Sequence, residues 1–361
     1  MDIAEIGGAL VKVIYEELPA VLTPEEALVE GAPKVHEEGN VLCTYKTSKG
    51  NIEEGFKQAA YIFERDYVTQ REDHVPIEPE AVIAIPTPEG MTIYAPTNSV
   101  YNVRQTISQT LGVDEHCIRL ITPTIGGSFG AKNYDLAVMA SRAAVAARLI
   151  KRPCKIVYTR EESIMEGTKR HPYKIHYKVG MNEEGTIKAI KTTIVGDGGT
   201  YMSKSFPVAS RSAIEAVGPY KVENSLTEIT LAYTNNTYSD AMRGFGSPQV
   251  DFSSEVLWDE IAKEMNIDTM TFRIKNHLND GDISAVGQTM RDVTISQCLK
   301  GVEKQIPWEA RKKRLIILIR TINIRREVLV CLLSTEVKLL VLQVKALIQQ
   351  PLIFILTGMV V

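Results

Sequence analysis

The chain has 361 residues, enough for two or three domains, and its 44% hydrophobic and 24% charged residues are ordinary globular composition. A net charge of −3 leaves no electrostatic footprint for nucleic acid or an acidic membrane. The five cysteines (Cys43, Cys117, Cys154, Cys298 and Cys331) are scattered, with no C-x-x-C pair, which argues against a zinc ribbon, a redox dithiol or an iron–sulfur cluster in this chain. Their odd number fits a reducing compartment. The acidic start MDIAEIGGAL lacks the basic region of a signal peptide, so a cytoplasmic location is expected.

In chain order, LVKVIYEELP (10–19) reads as a strand with no earlier partner, so residues 1–28 read as the end of something larger. Residues 29–55 are polar and glycine-containing and read as a linker. AAYIFERDYVTQ (59–70) and AVIAIPTPEGMTIYAPT (81–97) read as strands, the latter turning at Pro88–Gly90. Val103, Ile107 and Leu111 mark one helix face, with Gly112 as its C-terminal cap. DLAVMASRAAVAARLI (135–150) is an alanine-rich helix that Asp135 is placed to cap. CKIVYTR (154–160) is a short strand, and residues 173–199 form a hairpin turning at Asn182–Gly185. FSSEVLWDEIAKEMN (252–266) is an amphipathic helix with Leu257, Ile261 and Met265 on one face, and DTMTFRIKNHL (268–278) is another. This irregular alternation predicts an α+β fold of mixed sheets with packed helices.

The end of the chain is different in kind. From Leu315 onward, 26 of 47 residues are Ile, Leu or Val, with no Asp, one Gly and one Pro, so turn residues are nearly missing. Lys345, Gln349, Gln350 and Pro351 interrupt it, and no stretch reaches the roughly 18 apolar residues of a membrane span. Two readings stand for 307–361: a shifted reading frame, or a hydrophobic helix that docks on a partner.

The chemistry-bearing stretch is PTIGGSFGAKN (123–133). A P-loop needs Gly-Lys-Ser/Thr, but Lys132 follows Ala131 and Asn133 stands where the hydroxyl belongs. The G-G-x-x-G spacing also fails the dinucleotide fingerprint. What remains is a run of amides able to cradle an anion, or an ordinary glycine turn. AMRGFGSPQ (241–249) repeats the design, with glycines on both sides of a phenylalanine and a cation beside it. Two such loops can converge on one flat polar ligand: glycine permits close approach, phenylalanine supplies a wall and arginine a fixed charge. His171 and His176, five apart in an expected strand, face opposite sides and make no metal pair.

With these motifs in order, the chain resembles the molybdenum-binding subunit of the xanthine dehydrogenase and aldehyde oxidoreductase family, from about Ile6 to about Pro307. The resemblance rests on LVKVIYEELPAV, GGSFGAK, RPCKIVYTREESI, RHPYKIHYKVG, GPYKVEN, AMRGFGSPQ and FRIKNHLNDGD. It implies that residues 56–306 form the first molybdopterin-binding domain and that residues 1–28 belong to a small hammerhead-like α/β domain. It implies that Gly127, Phe129 and Gly130 present backbone to the cofactor, that Arg243 binds near the metal, and that Asn98 takes the post of a glutamine. It further implies that Phe245 stacks on an aromatic substrate, that Arg211 holds it, and that Asn133 stands where purine-oxidising members often carry a glutamate.

The resemblance also implies base-assisted hydroxylation, with a glutamate as the base. That residue belongs to a second cofactor-binding domain absent from these motifs, so no catalytic residue and no protein metal ligand is assigned. The cofactor is expected to be molybdopterin, in its simple or cytosine dinucleotide form, with FAD and [2Fe–2S] clusters on partner subunits. The expected partners are an iron–sulfur subunit, an FAD subunit, a second molybdopterin-binding half and a small heterocycle, purine- or nicotinate-like. The rival expectations are an aldehyde-oxidising subunit and a truncated, non-catalytic remnant.

Overall fold

The computed structural model describes residues 2–305 and 310 and, by backbone alone, 325–332 and 340–347. Helix α1 (Asp2–Ala9) and the short α2 (Pro24–Ala27) precede strand β1 (Val41–Lys49), α3 (Ile52–Lys57) and β2 (Tyr61–Val68). A second group follows: β3 (Ala81–Thr87), β4 (Gly90–Tyr94), α4 (Val100–Leu111), β5 (Ile118–Ile121), α5 (Tyr134–Ile150), β6 (Cys154–Val157) and α6 (Arg160–Glu166). The chain then returns to the first group through β7 (Tyr173–Met181), β8 (Ile187–Gly199), α7 (Ser205–Glu215), β9 (Asn224–Tyr233), α8 (Ser247–Glu264), α9 (Thr269–Asn276) and α10 (Ile295–Gln305).

The larger sheet has the order β1-β9-β8-β7-β2, with β8 and β9 parallel and the other pairs antiparallel. Its two-residue period sorts the faces. In β7, Tyr173, Ile175, Tyr177 and Val179 are buried, whereas Lys174, His176 and Lys178 point the other way. Helices α7 and α8 cover the apolar face, and Trp258 stacks on Phe272 of α9 at 5.7 Å between ring centres. Burying side chains of that size contributes about 2–3 kcal/mol each. Beneath them the fully buried Arg273 is held by Glu255 at 2.7 Å and Asp259 at 2.6 Å, a pairing that offsets the cost of removing the charges from water.

The smaller sheet has the order β5-β4-β3-β6 and is covered by α4 and α5. Ala137, Ala140, Ala143, Ala144 and Ala147 bring α5 close to the strands, as its composition predicts. Gly112 ends α4 in the left-handed conformation at φ 64°, and Gly185 closes the β7–β8 turn onto Asn182.

Three expectations are corrected. The stretch 29–55 is not simply a linker, because β1 pairs with β9 from Lys49↔Ser225 to Val41↔Ala232 and α3 follows it. Its alternation of lysine and hydroxyl residues disguises an edge strand with one wet face. Residues 10–19 form no strand, and Leu10, Val11, Ile14 and Tyr15 lie exposed; no described strand lies beside them to complete a ladder. Asp135 does not cap α5: Asn133 holds the capping position without a side-chain bond, and the Asp135 carboxylate turns inward. The composition break at 307–361 falls mostly outside the described residues, within which β10 (Arg325–Leu332) and β11 (Leu340–Leu347) pair antiparallel.

Candidate cofactor and substrate site

The two glycine–phenylalanine loops meet. The Arg243 amide donates to the Phe129 carbonyl at 2.8 Å, and Gly130 packs so tightly on Ala241 that a Cβ there would lie 2.1 Å from its carbonyl oxygen. The loops share an unusual backbone. Phe129 and Phe245 both sit at φ 55°, and the glycines after them, Gly130 and Gly246, at 115° and 98°. Left-handed phenylalanine costs on the order of 1–3 kcal/mol, strain that surrounding contacts must hold in place. The amides of Gly127, Ser128, Phe129 and Gly130 meet no acceptor among the described residues, so this turn is a run of unspent donors of the kind that can cradle an anion. Arg243 and Phe129 are exposed beside it, and Phe245 is half-buried.

Lys132 points away from that cradle. It is fully buried and bonds Glu78 at 2.5 Å, and the same carboxylate oxygen accepts from the Gly126 amide at 2.6 Å. Burial raises the Glu78 pKa, but the bonds from Lys132 and Gly126 outweigh it and hold the group below its ordinary value. Thr97 Oγ1 donates to the Lys132 carbonyl at 2.7 Å, which sets the exposed Asn98 next to the first loop.

The second loop is held differently. His74 bonds the Ala241 carbonyl at 2.8 Å; a carbonyl only accepts, so Nε2 carries the proton and the buried Nδ1 is bare. Burial pushes the His74 pKa down, against the bond to Ala241. Arg170 donates to the Arg243 carbonyl at 3.1 Å and is paired with Glu72 at 2.7 Å. From α7, Arg211 donates through Nε to Ser247 at 2.8 Å and lies 3.1 Å from Glu215, which sets it beside the Phe245 loop.

Behind the first loop, Asp135 accepts from the Thr168 amide at 3.1 Å and from Tyr238 at 3.2 Å. Burial, opposed by the Thr168 bonds and reinforced by the charges of Asp240 and Glu80, pushes its pKa up to about 7. His171 and His176 are apart in role: His171 bonds Ser205 in the interior, and His176 meets Asp66 on the outer face. All eight sequence-selected residues thus fall on the loops 97–99, 126–133 and 241–247 and on the adjoining α7. Sequence reasoning missed Glu78, His74, Arg170 and Glu215. For Glu78 and His74 the signal was the clustering of His and Glu in EDHVPIEPE (72–80); Arg170 and Glu215 carried none.

The arrangement is an α+β fold in which two strained glycine loops meet and leave a run of amides unspent. Residues 35–277 match the molybdopterin cofactor-binding domain, and the chain belongs to that family. It is 37% identical over 276 residues to a probable xanthine dehydrogenase component of Bacillus subtilis, a match that covers 76% of this chain and 37% of that protein. It is 34% identical over 292 residues to the nicotinate dehydrogenase large molybdopterin subunit of Eubacterium barkeri, 81% of this chain and 68% of that one. Among solved structures, quinoline 2-oxidoreductase of Pseudomonas putida superposes with a TM-score of 0.83 at 23% identity, over 92% of this chain and 43% of that one. Aldehyde oxidoreductase of Desulfovibrio gigas superposes with a TM-score of 0.77 at 24% identity, over 86% and 34%. The chain therefore spans little more than a third of the Bacillus relative. No helix among the described residues is long and apolar enough to cross a membrane.

Proposed function

We propose that this chain supplies the first of two cofactor-binding halves of a molybdenum hydroxylase that acts on an N-heterocycle, purine- or nicotinate-like. The observation that carries the reading is the joining of the two loops through the Arg243 amide and the Phe129 carbonyl. On this reading that contact brings a cation, a run of unspent amides and two aromatic residues to one ligand. The residues present fit an anionic, pterin-bearing group, because the amides of residues 127–130 have no other acceptor and Arg243 is exposed beside them.

When bound, molybdopterin supplies the two-electron oxidation and the protein orients the reactants. On this reading Gly127, Phe129 and Gly130 present amides to it, Arg243 adds charge and Asn98 an amide side chain. Phe245 offers its ring to the substrate and Arg211 its guanidinium edge. Asn133 is neutral, so it can both donate to and accept from a carbonyl-bearing ring. The relatives named for xanthine and nicotinate support a heterocycle over an aldehyde.

The functional unit is residues 56–306 together with β1, the preceding segment belonging to a smaller domain. The general base lies on the second half, and the electrons leave through iron–sulfur and FAD groups on partner chains, in a cytoplasmic complex. The cofactor is held in its simple or its cytosine dinucleotide form. Metal and pterin analysis of the chain purified with its neighbouring gene products tests the reading. About one molybdenum per assembled complex is expected from one cofactor per site; a complete, active complex without molybdenum overturns it.

A further inference from the structure

We infer that the segment Glu72–Glu78 is a clasp that sets both glycine loops in one register, with Glu78 and His74 as positioning residues for the cofactor-facing amides. The inference deepens the reading above and rests on it for its link to catalysis, but not for its geometry. Within seven residues, this segment reaches four points on the two loops, one of them through Arg170. Glu78 holds the first at both ends through the Gly126 amide at 2.6 Å and the Lys132 ammonium at 2.5 Å. His74 holds the second at the Ala241 carbonyl, and Glu72 reaches the Arg243 carbonyl through Arg170.

The chemistry of the contacts argues for positioning over simple adhesion. Glu78 closes the loop like a staple, because one oxygen takes both ends of Gly126–Lys132 while the amides of residues 127–130 stay unspent. A lysine buried completely is costly unless paired, so the pair cannot slip without exposing or stranding a charge. The segment is itself strained: Val75 sits at φ 42°, in the left-handed region that a β-branched residue seldom adopts. That turn lies between the His74 contact to one loop and the Glu78 contact to the other. The loops also bond each other, so strain released at one anchor passes to the second.

The distinctive consequence is coupling. Glu78 touches only the first loop, yet its loss must loosen the second. Hydrogen exchange on the full chain reads this directly. Glu78→Ala is expected to speed exchange at the Arg243 amide by about tenfold, the consequence of losing hydrogen bonds to a charged group. Amides of β7 in the large sheet should be unchanged. His74→Ala should conversely speed exchange at the bonded amides of the first loop, those of Gly126, Ala131 and Lys132. Glu78→Gln keeps an acceptor for both partners and should restore most of the protection. If Glu78→Ala folds poorly, the comparison of Glu78→Gln with Lys132→Met carries the same test, since Gln retains the Gly126 bond and Met removes only the ammonium. In the assembled enzyme, Glu78→Ala should lower kcat per bound molybdenum about tenfold with KM little changed. Exchange changes confined to the loop each residue touches, or spread evenly through β7, would overturn the clasp. A clasp shown by exchange in a complex that holds no molybdenum would leave the inference standing and remove the proposed function.

Discussion

The two glycine–phenylalanine loops have nearly the same backbone and are held by different means. The first is fixed by charge: a buried ammonium and a carboxylate draw its ends together. The second adds shape to the bonds from His74 and Arg170. A Cβ on Gly246 would lie 2.2 Å from Ser212 Oγ and 2.7 Å from the Val208 carbonyl, and one on Gly244 would lie 2.4 Å from the Pro248 ring. Similar φ values at Phe129 and Phe245 therefore do not imply similar tolerance. In the first loop Gly127 keeps room for a ligand, since a Cβ there would meet nothing closer than 3.4 Å, while Gly126 and Gly130 press on Glu78 and Ala241; in the second loop Gly246 gives that room to helix α7. The difference matches the roles proposed for them, a cradle for an anion and a wall for a ring.

The largest expected effects come from breaking the seam between the loops. Gly130→Ala places a methyl group against the Ala241 carbonyl at a φ of 115°. We expect a loss of about 3–5 kcal/mol of stability, strain and overpacking together. Gly127→Ala, whose Cβ would find only ordinary contacts at 3.4 Å and beyond, should lose about 1–2 kcal/mol, from backbone strain alone. Denaturant titration of the two variants checks this. Equal losses would mean that the seam is soft and the two loops are independent.

The next effect in size separates the loops by function. Arg211 is tied to the second loop through Ser247 and paired with Glu215. Arg211→Leu in the assembled enzyme should cost about 2–3 kcal/mol in kcat/KM on the native heterocycle, the range for a charged hydrogen bond. Aldehydes should be nearly unaffected. Asn133→Glu, at the first loop, should shift preference toward purines instead. Equal losses on both substrate classes after the Arg211 change would reduce it to a support for Ser247.

Local patterns made much of this legible, and long-range ones did not. The β7–β8 hairpin and the α4 face rest on residues within a turn of one another, so periodicity and Gly112 suffice to predict them. The repeated glycine–phenylalanine design marked both loops, although only folding shows that they touch. The strand β1 was hidden because its partner, β9, lies some 180 residues away (Lys46↔Glu228), and its own sequence is half polar. LVKVIYEELP misled for the opposite reason, since an apolar alternation makes a strand only when a neighbour completes the ladder. The clasp residues were invisible because their meaning lies wholly in what they touch: Glu78 and Lys132 are 54 positions apart.

A pH-dependent effect sharpens the charge side of the comparison. Asp135 lies just behind the first loop, and burial raises its pKa from 3.8 to about 7. Between those values the folded protein holds a proton that the unfolded chain has released, so this group makes stability fall as pH rises. His171, pushed down to about 3 mainly by burial, acts in the other direction over part of the same range. The difference between parent and Asp135→Asn therefore isolates the carboxyl. The variant should lack a downward slope of at most about 1.4 kcal/mol per pH unit between pH 4 and 7. Parallel stability curves for the two proteins would show that Asp135 is ionised in the fold.

The smallest predicted effect asks whether the two phenylalanines do different things. Phe129 is proposed to act through its amide and Phe245 through its ring. Asparagine tolerates the left-handed conformation that both occupy, so it removes the ring without straining the backbone. Phe129→Asn should then leave cofactor content and kcat/KM within about twofold of the parent, since the amide is retained. Phe245→Asn should raise KM for the heterocycle about fivefold, the equivalent of roughly 1 kcal/mol of lost stacking. Kinetics at matched molybdenum content compares them directly. If Phe129→Asn is the more damaging change, its ring is part of the site, and the first loop is a wall as well as a cradle.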